Sequence, residues 1–88
     1  MYYVYILQSL ENNKLYTGST EDLRNRFEEH NAGRVKSTRL GKPWRLVYYE
    51  AYVNKTLARK TEIFYKTGQG RRQIKKKLSL LTEEWLSG

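Results

Sequence analysis

Eighty-eight residues carry 17 Lys and Arg against 9 Asp and Glu, a net charge of +8, and include no cysteine. A chain this short buries only about 60 to 65% of its extended surface, so one thin core is expected and a second substrate domain is excluded. The missing thiols rule out disulfides and thiolate metal sites and suit a reducing cytoplasm, while the positive balance favours nucleic acid and, more weakly, anionic membrane.

Tyr2 to Gln8 is dense in aromatic and β-branched residues with apolar side chains on both faces, the pattern of an inner strand. Its apolar core, Tyr2 to Leu7, falls far short of the ~20 residues of a membrane span, and no basic region precedes it as in a signal peptide. A soluble cytoplasmic protein without a membrane partner is expected. Glu11-Asn12-Asn13 offers turn chemistry before a second strand, Lys14 to Ser19, which completes a hairpin. Ser19-Thr20-Glu21-Asp22 resembles a capping box with Asp in place of Glu or Gln, and predicts a helix from about Glu21 to Asn31, stopped by Gly33.

On that helix Leu23, Arg26, Phe27 and His30 recur at the spacing of a single inward face. The next segment carries Arg34, Lys36, Arg39 and Lys42 without an acid and reads as an exposed loop suited to binding. Trp44 to Val53 predicts a third strand, with Leu46, Tyr48 and Glu50 on one face and Val47, Tyr49 and Ala51 on the other. Asn54 or Thr56 can cap a second helix ending at Gly68, and Gly68-Gln69-Gly70 breaks the chain. Ile74, Leu78 and Leu81 then mark a third helix whose other faces carry Arg71, Arg72, Lys75, Lys76 and Lys77. Thr82 is expected to cap a short last turn that folds Trp85 back on the core. The fold class is α+β: a three-stranded antiparallel sheet flanked by about three helices, in one domain spanning 1–88.

Hydrolysis of a phosphodiester needs an oriented or deprotonated water, neutralised phosphoryl oxygens and a stabilised leaving oxygen. Tyr5, Tyr16, Arg26 and Glu62 supply residue types for those tasks, with His30 one turn beyond Arg26, at spacings expected to gather all five on one face.

These residues resemble the GIY-YIG nucleases over nearly the whole chain. Tyr3-Val4-Tyr5 stands for the first family tripeptide and Tyr16-Thr17-Gly18 for the second, about ten residues later. Arg26 follows Tyr16 at the family spacing, in a segment ending in His30, and Glu62 closes the stretch Leu57-Ala58-Arg59-Lys60-Thr61-Glu62. Neither tripeptide is literal, but both exchanges keep the tyrosines and the second glycine. The closest likeness is to the small stand-alone bacterial members. The resemblance implies a DNA endonuclease in which Glu62 holds Mg²⁺ or Mn²⁺. It assigns Tyr16 to positioning or deprotonating water with Tyr5 beside it, Arg26 to the phosphoryl oxygens, and His30 to orienting a tyrosine or relaying its proton.

Arg34, Lys36, Arg39, Lys42, Lys66, Arg71, Arg72, Lys75 and Lys76 form the expected nucleic-acid surface, for which RNA fits the same charge and aromatics as DNA. Taken singly, each residue has a plainer account. Strand tyrosines mostly pack, as expected of Tyr2, Tyr3, Tyr48 and Tyr49; Arg26 can lay its stem on the core and reach water; and Glu62 stands four residues before Lys66, the order of a helix-stabilising pair. A non-catalytic nucleic-acid-binding module of the same fold is therefore the rival to the enzyme, with a basic protein-interaction domain behind it. No targeting domain is expected, so sequence specificity would need a protein partner, and structure-selective nicking in repair or recombination follows from the resemblance alone.

Overall fold

A computed structural model describes the backbone of residues 1–87 and the side chains as far as Ser79. Strands β1 (Tyr2–Ser9), β2 (Leu15–Thr20) and β3 (Trp44–Tyr52) form one antiparallel sheet in the order β2-β1-β3. The continuous apolar run thus takes the centre, where Val4 to Leu7 are all buried, as a strand covered on both faces requires. In register, Tyr5 stands opposite Gly18 of β2 and Tyr49 of β3. β3 bulges next to Ile6: Tyr48 pairs with Ile6 and Leu46 with Leu7, which leaves Val47 without a partner of its own. The bulge corrects the simple alternation expected of β3, because Leu46 packs on one sheet face while Val47 and Tyr48 both pack on the other.

Helix α1 (Leu23–Asn31) lays Leu23 and Phe27 against Tyr5, Leu7 and Trp44 on one face. Its N-cap is Asp22, whose carboxylate accepts from Asn25 N at 3.0 Å. Ser19 and Thr20 instead complete β2, so the predicted capping box starts too early. Helices α2 (Lys55–Tyr65) and α3 (Gly68–Ser87) cover the other face, packing Ala58, Tyr65 and Ile74 against Val4 and Ile6. Asn54 caps α2 by accepting from Thr56 N and Leu57 N. Gly68 and Gly70 belong to the first turn of α3, and a Cβ on Gly70 would strike the Phe64 carbonyl oxygen. The glycines therefore permit a close helix junction at a point where the sequence predicts a break. α3 runs without interruption past Thr82, whereas the side chains of Leu81, Thr82 and Trp85, and with them the predicted fold-back, lie outside those described.

Residues Lys36–Gly41 form a 3-10 helix where an exposed loop is predicted. Side-chain bonds fix it. Thr38 and Gly41 are buried, the Ser9 hydroxyl donates to Gly41 O at 2.5 Å, and Trp44 Nε1 donates to Thr38 O at 2.8 Å. Asn31 brackets the backbone of Trp44, accepting from Trp44 N at 2.6 Å and donating to Trp44 O at 2.9 Å. Among the described residues no helix is long and apolar enough to cross a membrane.

Candidate active site

The pleat aims Tyr5 at the α1 face, where its ring is buried and its hydroxyl meets His30 Nε2 at 2.8 Å. His30 has no exposed surface, and its Nδ1 lies 2.7 Å from the buried Thr38 hydroxyl. Because that hydroxyl donates to Val35 O at 3.3 Å, its oxygen accepts from Nδ1–H, which leaves Nε2 as the acceptor for Tyr5. The three side chains therefore form a directed relay, Tyr5 to His30 to Thr38 to a backbone carbonyl. Burial, then the nearby Arg26 charge, lowers the His30 pKa and keeps the imidazole neutral. Burial also pushes the Tyr5 phenol up to about 12, with the Arg26 hydrogen bond opposing the shift.

Arg26 sits one turn before His30 and bears on the Tyr5 hydroxyl both as a hydrogen bond and as a charge. Burial opposes its charge, but Tyr5 and Glu29 outweigh that and raise its pKa. The Glu29 carboxylate lies 3.5 Å from the guanidinium.

Tyr16 stands opposite Leu7 on β2 and faces the same way as Tyr5. Its ring lies 5.1 Å from that of His30, 6.4 Å from Tyr5 and 6.3 Å from Trp44, so aromatic rings fix it on three sides. Among the described residues its hydroxyl has no hydrogen-bond partner, and the side chain is only half-buried. Tyr5 is thus committed to His30, whereas the Tyr16 hydroxyl is available to an incoming molecule.

Glu62 reaches the site from the other side of the sheet. It projects from α2, which covers the Val4 and Ile6 face, and meets the edge strand where the Ser19 hydroxyl donates to Oε1 at 2.5 Å. Ser19 pairs with Val4, one residue beyond the Gly18–Tyr5 pair, so alternation puts Ser19 and Tyr5 on opposite faces. The expectation of five groups on one face is corrected: four share the α1 face, and Glu62 arrives around the edge of β2. Its charge is near enough to bear on Tyr5. Burial opposes the carboxylate, but Lys66 at 2.8 Å, the Ser19 hydroxyl and the Arg59 charge outweigh it and hold the Glu62 carboxyl below the usual range. Gly18 lies at this junction, and a Cβ there would collide with the Tyr5 hydroxyl.

This combination of two strand tyrosines, a helical arginine and histidine, and a carboxylate on a later helix has a match among known families. The model of the GIY-YIG catalytic domain matches residues 1–77. The chain belongs to the GIY-YIG family. UPF0213 proteins of Streptococcus pyogenes serotypes M3 and M1 are each 40% identical over 72 residues, covering 81% of this chain and 77% of theirs. The solution NMR structure of a UPF0213 protein from Bacillus halodurans aligns with a TM-score of 0.52 at 35% identity, over 84% of this chain and 82% of that one. GIY-YIG membership makes a nuclease the expected activity, and the relatives are named only as UPF0213 proteins.

The basic residues separate into three groups. Lys66, Arg71 and Lys75 line a groove of about 520 Å³ with Lys14 and Tyr16, between the start of β2 and the α2–α3 junction. Arg72 and Lys76 are exposed on α3 outside that lining. Arg34, Lys36, Arg39 and Lys42 are exposed around the 3-10 helix, away from the groove, and Arg39 Nε is engaged by Gly33 O at 2.9 Å.

Sequence reasoning missed Ser19, Thr38 and Lys14. Ser19 adjoins the second tyrosine motif and had a signal in its position; Thr38 had none, because only the folded 3-10 segment brings it to His30. A second polar cluster was also missed. Glu50 accepts from Tyr48 at 2.6 Å, Tyr52 at 2.7 Å and Tyr65 at 2.8 Å, and Lys77 Nζ adds a bond at 3.2 Å. Tyr48 therefore does more than pack, and the cluster ties β3, α2 and α3 together.

Proposed function

We propose that this chain is a metal-dependent endonuclease that hydrolyses DNA phosphodiester bonds, selecting structure rather than sequence and serving DNA repair or recombination in the cytoplasm. The observation that carries the proposal is an ionised Glu62 bonded to Ser19 of β2 and close enough for its charge to bear on Tyr5, on the strand that also carries the unpartnered Tyr16 hydroxyl.

Glu62 suits a hard divalent cation. Among the described residues no three His, Cys, Asp or Glu side chains form a metal cage, so an ion here would rely on Glu62 together with oxygens from outside the protein. Mg²⁺ is commonly held by one or two carboxylates plus substrate phosphate, keeping several waters, and Mn²⁺ accepts the same oxygen donors. Bound at Glu62, such an ion supplies Lewis-acid polarisation of the phosphoryl group and stabilises the leaving 3′ oxygen.

The protein's own groups divide the remaining work. Arg26 binds phosphoryl oxygens as charge builds, through planar charge-assisted hydrogen bonds. Tyr16 positions the attacking water or takes its proton, since its hydroxyl is both accessible and unpaired. Tyr5, buried and held protonated, orients Arg26 through its oxygen while donating a hydrogen bond to neutral His30. His30 is thereby a positioning residue. Lys14, Lys66, Arg71 and Lys75 draw the phosphate backbone into the groove.

The deciding experiment incubates supercoiled, branched and flap DNA with Mg²⁺ or Mn²⁺ and compares wild type with Glu62→Ala and Arg26→Ala. Each substitution is expected to slow cleavage about a hundredfold or more, in the range of losing one preorganised electrostatic group, while DNA binding persists. Background cleavage by wild type, matched by Glu62→Ala with binding retained, would leave a non-catalytic DNA-binding module. Target choice would come from a protein partner.

A further inference from the structure

The two oxygens of Glu62 are held in unequal ways. Oε1 accepts from Ser19, which is fixed in β2 by its pairing with Val4. Oε2 faces the Nζ of Lys66, the C-cap of α2, at 2.8 Å. The lysine side chain is 49% exposed and the glutamate 16%, so the partner at Oε2 is a mobile ammonium on a long stem. One oxygen is anchored to the sheet, and the other is capped by a cation that can leave.

We infer that Lys66 is a built-in counter-cation for Glu62, standing where a divalent ion would bind and yielding that place when the ion arrives. The inference rests on Glu62 being the metal ligand. An oxygen bound to Mg²⁺ at about 2.0–2.1 Å cannot keep an ammonium at hydrogen-bonding distance without setting that charge against two more at close range. The released side chain has somewhere to go. Lys66 already lines the groove with Lys14, Tyr16, Arg71 and Lys75, its Nζ 6.0 Å from the Tyr16 ring centroid, and no acid is among the lining residues. Until an anion enters, those neighbouring cations disfavour Lys66 in the groove and press it toward Glu62. A helix-stabilising pair needs none of this placement at the mouth of a basic groove.

The test is Mn²⁺ binding to the full chain, followed by electron paramagnetic resonance of the free ion, with no DNA present. Lys66→Met keeps the length of the stem and removes the charge, and it should tighten Mn²⁺ binding about threefold to fivefold, the scale of a partly exposed ion pair. Adding Glu62→Gln to Lys66→Met should abolish that binding. If Lys66→Met binds no tighter than wild type while Glu62→Gln still abolishes binding, the counter-cation role is overturned and the metal ligand stands. If Mn²⁺ binding survives Glu62→Gln, or no variant binds Mn²⁺, the ligand assignment itself fails and takes the role of Lys66 with it.

Discussion

The Tyr5 hydroxyl donates a hydrogen bond to Nε2 of His30 across 2.8 Å, in complete burial. Tyr5→Phe removes that donor and leaves a buried imidazole nitrogen unpaired, which should cost about 1–3 kcal/mol in denaturant unfolding. Tyr16→Phe leaves no such orphan and should keep near wild-type stability. If the proposed division of labour holds, the order reverses in cleavage: Tyr16→Phe should lose more activity than Tyr5→Phe. Equal losses of stability in the two variants would contradict the burial argument.

The relay also fixes a pH response. The folded His30 pKa lies below the unfolded value of 6.5, so on acidification the unfolded chain takes up the proton first. Stability from this residue is complete above pH 6.5 and is lost as pH falls through the folded pKa. On the alkaline side Tyr5 and Tyr65 are raised from 10.0 to about 12, so the folded state holds protons that the unfolded state releases. Stability from those two falls between pH 10 and about 12. Unfolding curves across pH, with tyrosinate absorbance as a second readout, should show both losses, and His30→Gln should remove the acid-side one between 6.5 and the folded His30 pKa.

Three glycines should respond differently to alanine. At Gly18 the new Cβ meets the Tyr5 hydroxyl, and at Gly70 it meets the backbone of Phe64 and Tyr65. Gly18→Ala should cost about 1–3 kcal/mol because a side chain can shift, and Gly70→Ala should cost more because backbone cannot. At Gly68 a Cβ would make only an ordinary van der Waals contact, with Arg72 Nη1 at 3.9 Å, so Gly68→Ala should be neutral or stabilising by up to about 1 kcal/mol. Thermal melts of the three variants read the series.

Glu50→Gln tests the cluster behind the sheet. Three tyrosine hydroxyls and Lys77 converge on the carboxylate, and burial, outweighed by these bonds, leaves its pKa below 4.5. The amide offers a single acceptor oxygen and no charge. A loss of about 1–3 kcal/mol is expected, with hydrogen exchange accelerating first in α3.

The sheet, the order of the helices and the polar residues were legible because each rests on local pattern: an apolar run, a turn, a helical stripe. What was hidden depends on contacts between distant segments. No periodicity announces that Thr38 will turn inward to a histidine, and the β3 bulge at Val47 shifts faces without changing composition. Gly68 and Gly70 read as a break because glycine ends helices in most settings, whereas here Gly70 allows one helix backbone to touch another. The face of Glu62 was misjudged for a similar reason, since spacing along a chain does not say which side of a sheet a later helix will cover.

Lys75, Lys76 and Lys77 follow one another in the chain yet have three different surroundings. Lys75 lines the groove, Lys76 is exposed outside it, and Lys77 bonds to Glu50, Tyr48 and Tyr65. Helical rotation of about 100° per residue divides a uniform basic tract among ligand attraction, solvation and mortar between layers. Net charge therefore overstates the electrostatic reach of this helix, because one of its consecutive cations is already paired with Glu50.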